Sequence, residues 1–176
     1  LGTHYYSVKY EPRNVDAGER TVVVVVVDVT EQRRAEAAMR EDRRRLEGIV
    51  NSAMDGIITI DASRCIVLIN PAAERMFGCT AAEVLGESLD RFLPARLRTS
   101  HAEHVREFGR SGIAARSMGR AGPMSGVRAD GEEFPIEASI SQVGVDGQTL
   151  FTVICRDVTE RVQEAEARKL LEAQLY

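Results

Sequence analysis

The sequence predicts an α+β fold: an antiparallel sheet whose helices are gathered between its second and third strands. Two short β-rich runs, GIITID and CIVLIN, are separated only by Ala-Ser-Arg, as in a hairpin. Short helical patterns punctuated by Pro and Gly follow them. Then come two long strand-like runs, EFPIEASISQVGV and TLFTVICRDV, joined by Asp-Gly-Gln. The order β-β-α-α-α-β-β-β keeps strands and helices in separate layers and offers no βαβ crossover.

The elements follow in chain order. Residues 4–28 read as a β-hairpin. HYYSVKY is rich in aromatic and β-branched residues, EPRNVDAGER carries turn formers, and TVVVVVVD is a fully apolar strand. An unbroken run of Val cannot alternate faces, so both of its faces should be covered. Asp28 to Val50 reads as a helix opened by Asp-Val-Thr-Glu, in which Asp28 or Thr30 caps and Glu31 sits in the positive first turn. Met39, Leu46 and Ala53 form a heptad seam, with Ala35, Asp42 and Ile49 as a companion row broken at Asp42. The arginines of this helix alternate with acids and read as a solvated face.

After the GIITID and CIVLIN strands, PAAERMFG starts a helix on Pro and ends it on Gly, and TAAEVLGE is a second short helix with a Thr cap. SLDRFLPARLRTSHAEHVREFGRSG gives a helical turn, a Pro break and an amphipathic helix ending near Gly112. A strand is expected at Met124–Arg128, then a tight Ala-Asp-Gly turn. DVTERVQEAEARKLLEAQL opens a last capped helix. The Asp-Val-Thr-Glu signal therefore occurs twice, each time where an apolar strand runs into a charged helix.

The bulk numbers set limits. The chain has 176 residues, 44% hydrophobic and 28% charged, with no Trp, enough for one core plus flanking pieces. A net charge of −4 does not point to nucleic acid or acidic lipid as a partner. The longest apolar run, Val22–Val27, is too short to span a membrane. Cys65, Cys79 and Cys155 are scattered and odd in number, which argues against a disulfide framework and fits a reducing, cytoplasmic setting. The sequence does not open on Met and reads as a piece of a longer chain. Neither a phosphate-binding loop nor a Ser-His-Asp set is found, so a regulatory domain is expected in place of an enzyme.

Residues 46–160 resemble a bacterial sensory-box PAS domain, through MDGIITIDASRCIVLINPAAERMFGCTAAEVLGESLDRFLP, RADGEEFPIEASIS and VICRDVTER. The resemblance implies a five-stranded antiparallel sheet with helices on one face and a ligand pocket between the layers. It implies a linker helix at 29–50 and another at 158–176, homodimers formed through these flanking helices, and an output domain further along the same chain, of histidine kinase or diguanylate cyclase type. Residues 1–28 then resemble the C-terminal hairpin of a truncated upstream PAS domain. Asp28, Glu31, Asp157, Thr159 and Glu160, at the starts of the outgoing helices, become relay residues, and Arg156 with Asp157 is expected to tie the exit helix to the sheet. A scaffold that binds a protein partner without any ligand is the alternative from a different class.

The ligand itself is not fixed by the sequence. LPARLRTSHAEHVREF resembles the helix of heme-binding PAS oxygen sensors, which implies His101 as the axial iron ligand, with His104 a weaker alternative. An Arg on the following strand contacts bound oxygen in those sensors, and Arg116 or Arg120 stands in that region. Ala138 and Ile140 occupy positions of distal apolar residues, with Ala138 smaller than the family pattern. FAD ranks behind heme, since the usual aromatic clamp is missing. Cys79, in FGCTAAEV, lacks the Asn-Cys-Arg-Phe context of the photoreceptor subclass and reads as a small structural residue. Arg64, Glu74 and Arg91 read as surface charges.

Overall fold

In a computed structural model of the chain, residues 3–15, 19–118 and 124–174 are described. The first hairpin forms where the sequence places it. β1 (Tyr6–Val15) pairs antiparallel with β2 (Glu19–Asp28) in a separate two-stranded sheet, and α1 (Thr30–Ser52) follows. The six valines Val22–Val27 are 38–58% exposed, since a lone hairpin cannot cover both faces of such a run. Leu1–Ile49 and Val50–Tyr176 are two compact units.

The second unit is the predicted α+β domain. β3 (Gly56–Ile60) and β4 (Ile66–Ile69) form the first hairpin of its sheet. Then come α2 (Pro71–Phe77), α3 (Ala81–Val84), two 3-10 turns (Leu89–Phe92 and Ala95–Leu97) and α4 (Arg98–Arg110). β5 (Ala115–Met118), β6 (Met124–Val127), β7 (Glu133–Val145) and β8 (Gln148–Asp157) complete the sheet, and α5 (Thr159–Gln174) leaves it. The strand order is β4-β3-β8-β7-β5, antiparallel at every pairing, with β6 also on β7.

The sheet therefore has six strands where five were expected. β5 pairs with Ala138–Ser141 and β6 with Glu133–Ile136, so two short strands share one edge position along β7. The sequence missed β5 because Ala-Arg-Ser-Met has no alternating apolar pattern; the long partner strand holds it in place. The β7–β8 hairpin turns on Asp146 (φ 49°) and Gly147 (φ 77°), the positive pair that a type I′ turn demands.

One face of the sheet carries the core. Ile58 and Ile60 of β3, Phe134 to Ile140 of β7 at alternate positions, and Phe151, Val153 and Cys155 of β8 all point inward and are buried. Phe77 of α2 and Val105 and Phe108 of α4 close over them. Phe77 stacks tilted on Phe92 with centroids 4.3 Å apart and meets Phe134 edge-on at 5.5 Å. On the other face, Val143 and Ile154 are exposed.

Three residues expected as plain surface charges tie the helical layer together. Arg64 pairs with Asp90 at 2.7 Å, with both side chains about three-quarters covered. Glu74 accepts the Ala81 N–H, joining α2 to α3, and Arg91 donates to the Glu83 carbonyl.

Helix α2 crosses the start of β3 at Gly56, where a side chain has no room. A Cβ there would lie 2.9 Å from Cys155 Sγ and 3.2 Å from both Ala73 Cβ and Met76 Cε. Gly56→Ala is expected to cost about 1–3 kcal/mol through overpacking. Adding Cys155→Ala should recover part of that loss in urea denaturation, because it removes the tightest contact. An additive double variant would mean the clash lies elsewhere.

Candidate functional site

α4 is amphipathic, and its inner stripe meets the sheet on only part of its length. Val105 and Phe108 reach the core. Between this stripe and the β5–β7 edge lies a cleft of about 710 Å³, within the range of small-molecule sites. His101, His104, Val105 and Phe108 form its helical wall, spaced 3 and 4 apart as one helix face requires. Arg116 and Met118 of β5, Met124 of β6 and Ile140 of β7 face them.

His101 is the less exposed of the two histidines on this wall. Its Nδ1 is buried and has no hydrogen-bond partner among the described residues. Burial pushes its pKa below the usual histidine value; the Arg64 guanidinium and His104 push the same way, while Asp90 opposes them. The imidazole is therefore neutral at pH 7, with a lone pair free for a metal or a hydrogen bond. A neutral imidazole short of a partner, apolar walls and this volume together fit a heme.

The structure brings together some of the expected site residues and separates others. His101, Arg116 and Ile140 share the cleft, and His104 joins them. Ala138, opposite Met118 across β5–β7, is buried in the core and is not part of the cleft lining. Arg120 lies outside the described residues. Cys79 is half-buried against the core and its thiol pKa is raised chiefly by burial, as suits a structural residue.

At the exit, Asp157 Oδ1 accepts the N–H of Thr159 at 2.9 Å and its hydroxyl at 2.5 Å, capping α5. Asp28 Oδ1 accepts the Thr30 N–H in the same way at 2.9 Å. Among the described residues, Glu31 and Glu160 have no side-chain hydrogen bond or ion pair. Arg156 and Asp157 each find a partner the sequence did not name. Arg156 makes a two-pronged pair with Asp55 at 2.7 and 2.8 Å. Asp157 is held by Arg128, whose Nη2 lies 2.7 Å from its Oδ2. Arg128 also donates to the Met76 carbonyl at the end of α2, pairs with Glu132 and stacks 3.8 Å from the Phe134 ring centre. Burial pushes the Asp157 carboxyl up, but the bonds from Thr159 and Arg128 outweigh it and hold the pKa below the usual value.

Sequence reasoning also missed Asn70. This side chain is fully buried, and all of its hydrogen-bonding capacity is used. Oδ1 accepts from Ile57 N at 2.8 Å and Ala73 N at 3.0 Å, while Nδ2 donates to Val50 O at 3.1 Å and Asp55 O at 3.0 Å. It caps α2 and at the same time clamps the last turn of α1 and the start of β3. An Asn directly before a Pro at a helix start was the signal available for the cap.

A family model described as PAS domain matches residues 54–160. The chain is 31% identical over 144 residues to the sensor protein FixL of Bradyrhizobium diazoefficiens, covering 82% of this chain and 28% of that one. It is 30% identical over 119 residues to the oxygen sensor protein DosP of Escherichia coli, covering 67% and 15%. The chain thus spans under a third of either relative. Among solved structures, the PAS domain of an HTR-like protein from Haloarcula marismortui aligns with a TM-score of 0.59 and 25% identity, over 71% of this chain and 98% of that one.

Proposed function

The chain belongs to the PAS-domain family, and from that premise we propose that it is the sensory module of a longer signalling protein, with a heme b held in the α4 cleft by His101. The observation that carries the reading is the neutral, unpartnered imidazole set among apolar walls in a cleft of suitable size. Similarity to a protein named as an oxygen sensor supports the same ligand class.

When bound, heme supplies an iron that takes diatomic gases and changes oxidation state. The protein's own part is to position and to transmit. His101 offers its lone pair, and Val105, Phe108 and Ile140 keep the surroundings apolar and low in water. Ile140 sits on β7, which is paired with β8 from Ile136–Asp157 to Val145–Gln148. A displacement of β7 at the cleft reaches Asp157 through that ladder, and Asp157 caps α5. The flanking helices carry the signal onward as a homodimer. Met39, Leu46 and Ile49 of α1 and Leu170 and Leu171 of α5 are all more than 60% exposed, which supports pairing with a second copy.

Residues 1–28 are the last hairpin of an upstream copy of the same domain. Two hydrogen bonds support this reading. Val29 N donates to Tyr5 O, where Asp28 pairs with Tyr6; Val158 N donates to Pro135 O, where Asp157 pairs with Ile136. The twice-written signal thus takes one geometry in both places.

Titration of the protein with hemin tests the cofactor. A shifted Soret band is expected in the wild type and none in His101→Ala, with the far-ultraviolet circular dichroism of the two unchanged. A wild-type spectrum identical to free hemin sinks the heme reading.

A further inference from the structure

We propose that a second cleft, on the flank of α4 next to the one that carries His101, binds a small aromatic carboxylate between Arg64 and Arg106.

The helix presents two neighbouring faces. His101, His104 and Phe108 line the first cleft. Ala102, Arg106 and Gly109, spaced 4 and 3 apart, line another of about 430 Å³, and Val105 borders both. The far wall of this second cleft is built by Arg64, in the turn between β3 and β4, and by Thr149 and Phe151 of β8. Its volume lies toward the small end of small-molecule sites and suits a bicyclic ring.

The floor is apolar. Val105 and Phe151 are 4% and 5% exposed. Gly109 leaves the Phe151 ring open to the cleft. A Cβ there would lie 3.0 Å from Phe151 Cζ, so helix and ring are already in contact and no side chain covers the ring edge. An aromatic ligand laid against Phe151 gains an edge or offset-stacked contact.

The rim is basic. Arg64 gives Nη1 to Asp90 at 2.7 Å, and its guanidinium has no other partner among the described residues. Arg106 is exposed. Its Nε donates to the Ala102 carbonyl at 3.3 Å, and among the described residues its guanidinium holds no carboxylate. None of the eight lining residues is acidic. The lining thus carries two cations, with Arg64 already paired outside it and Arg106 unpaired. A planar guanidinium fork of this kind matches a carboxylate. Thr149 adds a hydroxyl at the same rim. An apolar floor under a cationic rim fits a flat ring that carries one acid group.

The test uses 2-naphthoate and its uncharged analogue 2-naphthamide, without hemin, and reads amide NMR shifts. Saturable shifts are expected at Gly109 and Thr149 with 2-naphthoate. Ala62→Trp, on the exposed turn that borders the cleft, should abolish them. Arg106→Gln should weaken 2-naphthoate roughly ten-fold, the loss of one charge-assisted contact, and Arg106→Lys should recover most of it. The amide should bind more weakly, and equally to wild type and Arg106→Gln. Shifts centred on Ser117 and Met118 would put the ligand in the first cleft and overturn the proposal. Equal 2-naphthoate affinity in wild type and Arg106→Gln overturns it too, as does binding that survives Ala62→Trp or a wild type with no saturable shift. Because no hemin is present, none of these outcomes bears on the heme reading.

Discussion

Asn70→Leu is expected to destabilise the domain by about 3–5 kcal/mol, and Asn70→Asp by less, with the opposite pH trend from an ordinary surface acid. The Leu side chain fills the volume but satisfies nothing. It leaves the N–H groups of Ile57 and Ala73 and the carbonyl of Asp55 without their partner, while the Val50 carbonyl keeps only the longer bond from Ala53 N–H at 3.4 Å. Each such buried orphan costs about 1–3 kcal/mol before relaxation, and water entry recovers part of the total. Asp keeps both accepted bonds but turns an oxygen toward two carbonyls. That favours the protonated acid, so its folded pKa is raised. A raised pKa means stability that is present at low pH and lost as pH rises through the folded value. Asn70→Asp should therefore gain on Asn70→Leu as pH falls from 7 to about 5. Urea denaturation at both pH values measures this. A Leu variant within about 1 kcal/mol of wild type would show that the clamp is dispensable.

The sequence made the sheet legible where apolar alternation survives. β7 and β8 alternate cleanly, and their turn needs two positive-φ residues that Asp-Gly supplies. It made α4 legible because a helix face is periodic, whereas His101 was singled out only through the resemblance of its helix to those of heme-binding sensors. β5 was illegible, since three of its four residues are exposed and the strand exists only through pairing with β7. Ala138 was placed in the pocket by position alone, and the fold instead uses it to pack the core. The polar ties were the hardest to read. Arg128 sits beside an Ala-Asp-Gly turn and looks like a solvated turn residue, yet its partners lie 52 and 29 residues away. Asn70 announces a helix cap, but the two carbonyls it holds belong to segments that only the folded chain brings near. The partner of Arg156 was out of reach for the same reason: Asp55 is 101 residues from it in sequence.

Asp157→Ala should free the first turn of α5 while leaving the sheet folded. The substitution removes two things at once. It deletes the cap on Thr159, typically worth about 1 kcal/mol. It also strips Arg128 of its partner in a site where the two side chains are 22% and 31% exposed. Arg128 keeps the Met76 carbonyl, Glu132 and the Phe134 ring, so the second loss is smaller than for a fully buried pair. A total of about 2–3 kcal/mol is expected, concentrated at the exit. Arg128→Met separates the two terms, because it breaks the pair and leaves the cap. Amide exchange then discriminates: the first turn of α5 should accelerate strongly in Asp157→Ala and weakly in Arg128→Met, with β3 little changed in either. Acid gives an independent check on the wild type. The Asp157 carboxyl has a lowered folded pKa, so its contribution is complete above the ordinary aspartate value of 3.8 and fades as pH falls through the lower native one. The turn should therefore loosen only below about pH 4. Unchanged α5 exchange in Asp157→Ala would mean that the sheet does not hold its exit helix through this carboxylate, and the route from cleft to α5 would have to run elsewhere.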